Sequence, residues 1–111
     1  MAQMSCCFSH CTLAIVSSMV MMLASTPVIA GLLEDFLRAA DKGECIEDVT
    51  YRMVEHRGAT HATEVVAAAL SALAARTEQQ RSLGCDGAIA AQAIAAGADP
   101  ADVLAATAAG L

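Results

Sequence analysis

The residues of this chain with the means to do chemistry are few: five Cys, three His and twelve carboxylates among 111 positions. Cys45 and Cys85 stand 40 residues apart, with no C-x-x-C motif and no His at ligand spacing beside either. An even pair of this kind reads as one structural disulfide, closing a loop of about 40 residues, rather than as a redox or metal motif. Cys6, Cys7 and Cys11 form a separate C-C-x-x-x-C cluster near the start of the chain. His56 and His61 flank Gly58, with Glu55 beside the first and Glu64 one turn beyond the second. They are the remaining metal candidates, because imidazole and carboxylate can share an ion, but only where the turn folds them together. The plainer reading is two solvated turn histidines, with no cofactor or metal.

Catalysis finds little else to use. No G-x-S-x-G motif occurs, and Ser71 and Ser82 have no His nearby in sequence. The acidic pairs Glu34-Asp35 and Glu47-Asp48 fall on the sides of helices expected to face water. No Gly-rich phosphate loop follows a strand, and with no Trp, one Tyr and two Phe there is no aromatic platform for a sugar or base. The expectation is a protein that is not an enzyme. A net charge of −6, with only six Lys and Arg, argues against nucleic acid and anionic membrane surfaces as partners.

The elements that must position these residues begin late. All 18 charged side chains lie after residue 30. Residues 12–30 carry no ionisable side chain, with an apolar run near Leu13–Leu23, Pro27, and small Ala30 two residues after Val28. That pattern matches a secretory signal cleaved after Ala30, so that residues 1–30 leave and 31–111 remain as a secreted or periplasmic domain. The absence of Lys or Arg before the apolar run leaves an alternative: residues 12–30 stay as a signal anchor and the rest projects from a membrane. The first three cysteines fall in the departing segment. Cys45 and Cys85 then share an oxidising compartment, which suits a disulfide.

Hydrophobic residues make up 57% of the chain, but 26 of them are Ala, which favours helix and fills little volume. The periodicity predicts an all-α array of about five short helices. The first spans 31–41, with Leu32, Leu33, Phe36, Leu37 and Ala40 on one face and Lys42-Gly43 closing it. A second, about 46–57, turns Ile46, Val49, Met53 and Val54 inward and Glu47, Asp48, Arg52 and Glu55 outward. A third, about 61–76, has Thr60 as N-cap and Val65, Val66, Ala69, Leu70 and Leu73 as its stripe. A polar linker follows over 76–82. From Cys85 the pattern recurs at an offset of 40, with Ile89 on Val49, Ala93 on Met53 and Ile94 on Val54. It ends in a helix over about 100–109, with Asp99 as N-cap, Pro100 at its first position, and Val103, Leu104, Thr107 and Ala108 inward. The chain thus reads as two helix-turn-helix hairpins, about 44–76 and 84–110, after one N-terminal helix and stapled by one disulfide.

After Arg81 the only charges are Asp86, Asp99 and Asp102, and Ala occupies 12 of the last 30 positions. The terminal unit of a stacked helical array normally carries a polar outer face. Its lack here points to an interaction surface over residues 88–111, with Ile89, Ile94, Val103, Leu104 and Leu111 as its large side chains, for a second copy or a protein partner. The functional expectation is an exported, non-catalytic interaction or assembly subunit of the cell envelope or extracellular space. Other readings are the membrane-tethered module and a small metal- or ligand-binding carrier built on His56 and His61.

Overall fold

Alanine sets how closely the helices approach. In the computed structural model, which describes residues 27–109, helix accounts for the regular structure and no strand occurs among the described residues. The helices are α1 (Pro27–Asp41), α2 (Ile46–Arg57), α3 (Ala62–Ala75), α4 (Thr77–Ser82), α5 (Ile89–Ala95) and α6 (Pro100–Ala109), with a 3-10 turn (Ala59–His61) ahead of α3. The chain is all-α, and Cys45 and Cys85 are joined, with Cα atoms 5.4 Å apart.

The central element is α3. Its Ala62, Val65, Val66, Ala68, Ala69 and Ala72 are buried, and α1, α2, α5 and α6 all pack on it. A helix covered on several sides must be apolar around most of its girth, and small side chains there let the covering helices come close. Leu70 and Leu73, expected in its stripe, are only half-buried. The bulky part of the core comes from the neighbours: Leu32 and Phe36 of α1, Ile46, Val49 and Val54 of α2, Ile89 of α5 and Val103 of α6.

Helix ends bring the two cysteines into place. Gly43 follows α1 and Gly84 follows α4, both with positive φ (91° and 81°). In each case the next N–H reaches back across the last turn, Glu44 to the Ala39 carbonyl (3.1 Å) and Cys85 to the Gln80 carbonyl (3.0 Å). This Schellman closure reverses the chain and needs a residue without Cβ strain at the left-handed position. Both cysteines therefore leave tightly capped helix ends, close enough to bridge.

Several elements differ from the sequence expectation for identifiable reasons. Helix α1 begins at Pro27, ahead of Gly31, because proline fits a first helical turn whose N–H groups have no intrahelical partner. Thr60 does not cap α3; the His61 N–H bonds to the Gly58 carbonyl (3.1 Å) and a 3-10 turn leads in instead. The stretch 76–82 is not a linker, since Thr77–Ser82 is helical. After Cys85 the helix starts only at Ile89. The Asp86 and Ala88 N–H groups donate to the carboxylates of Glu47 and Asp86 (both 3.0 Å) instead of entering a helix. Asp99 does cap α6, accepting from the Ala101 N–H at 2.9 Å.

Candidate functional site

The densest polar chemistry sits where α2 begins. Cys45 occupies the N-cap position but contributes no side-chain cap, so the first amide of α2 needs another acceptor. It finds one 34 residues away: the Ile46 N–H donates to Gln80 Oε1 at 2.7 Å. The other end of the same amide, Gln80 Nε2, donates to the Glu44 carbonyl at 3.0 Å. Gln80 is only 1% exposed, and its neighbour Gln79 donates to the Ala40 carbonyl at 2.7 Å. The short helix α4 thus acts as a remote cap for both α1 and α2.

Glu47 lies beside this junction, buried rather than solvated as its helical position predicted, with 5% of its surface exposed. The reason is the disulfide, which draws the 85–88 segment over the start of α2. Glu47 Oε2 accepts the Asp86 N–H, while Oε1 is buried without a hydrogen-bond partner. A carboxylate oxygen of Glu47 and the sulfurs of Cys45 and Cys85 all lie within 4.8 Å of one another. On the exposed side, the Ala88 N–H holds the Asp86 carboxyl below the usual carboxylate range. A cleft of about 250 Å³ opens over the half-buried Cys85, walled by Leu73, Thr77, Gln80, Arg81, Asp86 and Gly87.

His56 and His61 are both exposed, and His61 Nδ1 stands 3.3 Å from Glu64 Oε2. Among the described residues they do not join a third donor; the one convergent set of three is Cys45, Glu47 and Cys85. His56 instead borders an open groove of about 430 Å³ between α1 and α2, where Arg38, Lys42 and Arg52 surround an apolar floor of Val49 and Met53. Two of those cations are already paired, Arg38 with Asp35 at 3.2 Å and Arg52 with Glu44.

The residues expected to form the C-terminal interaction surface divide in two. Ile89 and Val103 are 2% and 1% exposed and belong to the core, whereas Ile94 (42%) and Leu104 (70%) stand in solvent. Leu111 lies outside the described residues. The inward face of α6 is Val103 with Ala106, and Leu104 and Ala108 turn outward. A narrow stripe suffices for a helix resting on α3 and α5, so adjacent apolar positions cannot all reach the core. Around Ile94 and Leu104 the exposed positions of α5 and α6 are Ala90, Ala91, Ala95, Ala101, Ala105 and Ala108, with Pro100 and Asp102. No protein-family model, curated protein or solved structure matches the chain.

Proposed function

We propose that the chain is an exported, non-catalytic helical subunit that works by binding protein through the outer surface of α5 and α6, either a second copy of itself or another component of the envelope or extracellular space. The carrying observation is Leu104, 70% exposed on a surface that is otherwise mostly Ala and whose one exposed charge within the two helices is Asp102. Burying such a side chain against a partner contributes about 1.5–3 kcal/mol, and Ala around it allows a facing helix to approach over a broad area. The pairing of hairpins as repeats belongs to the same reading. It draws support from Val49 and Ile89, both buried at the corresponding position, whereas Ile94 stands in solvent where Val54 is buried.

Export rests on the pattern of residues 1–30, of which 1–26 lie outside the described residues. The core is compatible with cleavage after Ala30, since its first buried side chain among the described residues is Leu32. Among the described residues no helix is long and apolar enough to cross a membrane. Mass spectrometry of the N-terminus decides between secretion and tethering: a start at Gly31 is expected, and an intact N-terminus in the membrane fraction favours the anchor. The surface itself is tested by a photo-crosslinking residue placed at Leu104 and, separately, at the exposed Asp48. Adducts from position 104 alone are expected. Adducts from neither position, or equally from both, refute this surface.

A further inference from the structure

Glu47 presents a problem that the fold leaves unsolved. Closing the 85–88 segment onto α2 needs one carboxylate oxygen, and Oε2 supplies it to the Asp86 N–H. The second oxygen, Oε1, is buried with no partner, in a residue 5% exposed and next to both cysteine sulfurs. A buried acceptor left unpaired is unfavourable and usually marks a missing donor or ion.

We propose that when the disulfide is open, Cys45, Cys85 and Glu47 bind one thiophilic divalent cation of the zinc class. The donor set is two thiolates and one carboxylate, three protein ligands with a fourth position left to solvent, a composition zinc accepts readily. In a tetrahedral site two sulfurs about 2.3 Å from the metal stand about 3.8 Å apart, a spacing that side chains on Cα atoms 5.4 Å apart reach by rotation about χ1. A cation bound there would give the buried Glu47 carboxylate, one of whose oxygens lacks a hydrogen-bond partner, a positive partner. Three anionic ligands against a doubly charged ion leave one excess negative charge; the cleft over Cys85 is lined by both Arg81, which pairs with Glu78 at 3.0 Å, and Asp86. That cleft is also the route by which an ion enters.

Disulfide and metal are mutually exclusive occupants. A phosphine reductant opens the bridge by taking an oxygen from water: phosphine, water and disulfide give phosphine oxide and two thiols. Zinc then displaces the two thiol protons, with no change in oxidation state. The redox state of the pair therefore decides whether the site holds an ion.

The test uses the full chain carrying Cys6→Ser, Cys7→Ser and Cys11→Ser, so that no other thiol competes, with Zn2+ and Co2+ as probes. Native mass spectrometry of the phosphine-reduced chain should show one zinc, a gain of about 63 Da after loss of two protons, and the oxidised chain none. Co2+ should give the near-ultraviolet sulfur-to-metal absorption together with the visible bands of a tetrahedral ion. His56 and His61 cannot produce the sulfur band. Cys45→Ser should abolish that band. Glu47→Gln, which keeps an acceptor for Asp86, should weaken zinc at least about tenfold against a chromophoric chelator, since even outer-shell partners are worth that much. Asp48→Asn should leave affinity unchanged. If reduction costs the chain its helicity, zinc should restore it. A reduced chain that takes up no zinc, equal uptake by the oxidised chain, or undiminished affinity in Glu47→Gln overturns the proposal.

Discussion

Replacing Gln80 by Leu tests whether α4 holds the fold together through one side-chain amide. The substitution keeps volume roughly constant, so no cavity term enters, but it removes the acceptor for the Ile46 N–H (2.7 Å) and the donor for the Glu44 carbonyl (3.0 Å). Ile46 is fully buried, so its amide has no access to water, and an unpaired buried donor costs about 1–3 kcal/mol. Glu44 is half-buried and its carbonyl recovers part of its loss from solvent. The net destabilisation should be about 2–3 kcal/mol, a large share of the 5 or so available to a domain of this size. Gln79→Leu is the internal control. The Ala40 carbonyl it leaves also accepts the Gly43 N–H at 3.0 Å, so the cost should stay below about 1 kcal/mol. Urea unfolding gives both values, and amide exchange adds a site-specific reading. First-turn amides of a helix ordinarily exchange freely, yet the Ile46 amide should be protected in the native chain and lose that protection in Gln80→Leu. A loss under about 0.5 kcal/mol with Ile46 exchange unchanged would refute the remote-cap argument, given that buried donors are rarely left unpaired.

Opening the Cys45–Cys85 bridge releases a loop of sequence separation 40, and urea unfolding of Cys45→Ser plus Cys85→Ser should show a loss of about 2–4 kcal/mol; a loss near zero would mean the unfolded chain is already constrained. Asp86 is held below the usual carboxylate range, so its contribution to stability is complete above its unfolded pKa and lost as pH falls through the folded value. The thermal midpoint of the native chain should therefore fall more steeply than that of Asp86→Asn on acidification below the ordinary Asp range, and superimposable profiles would contradict this. Gly87 has φ 71°, and a Cβ there would meet Leu73 Cδ2 at 3.3 Å. Gly87→Ala should cost about 1–2 kcal/mol by thermal melting from the backbone penalty alone, and a neutral result would show that the 85–88 segment relaxes.

Helical periodicity was enough to place the interior faces of α1 and α2, where Leu32, Phe36, Ile46, Val49 and Val54 are buried as their spacing predicts. The disulfide followed from cysteine count and context. What spacing could not reveal is any contact made across the fold. Glu47 sits at a solvent-facing phase of α2 and becomes buried only because the bridge pulls the Asp86 loop over it. Gln80 looks like linker polarity until its two bonds to the start of α2 are seen. Leu104 fails in the opposite direction, since α6 needs only Val103 and Ala106 against its neighbours and the apolar residue between them is left outside. In an Ala-rich chain the apolar stripe is broad and its phase is poorly defined, so the direction of a single Leu is set by tertiary contacts. The absence of a capping side chain at Cys45 is the one sign in the sequence that the start of α2 takes its acceptor from elsewhere, and nothing comparable marks Glu47.

The proposed binding of protein by the outer surface of α5 and α6 is read from the mass of the purified chain by light scattering across a wide concentration range, for native protein and for Leu104→Glu. The native mass should rise with concentration, or on addition of an envelope component, and Leu104→Glu should stay at the mass of one chain under the same conditions. A native protein that remains strictly monomeric and takes up no envelope component, or a Leu104→Glu variant that associates as the native chain does, would contradict it.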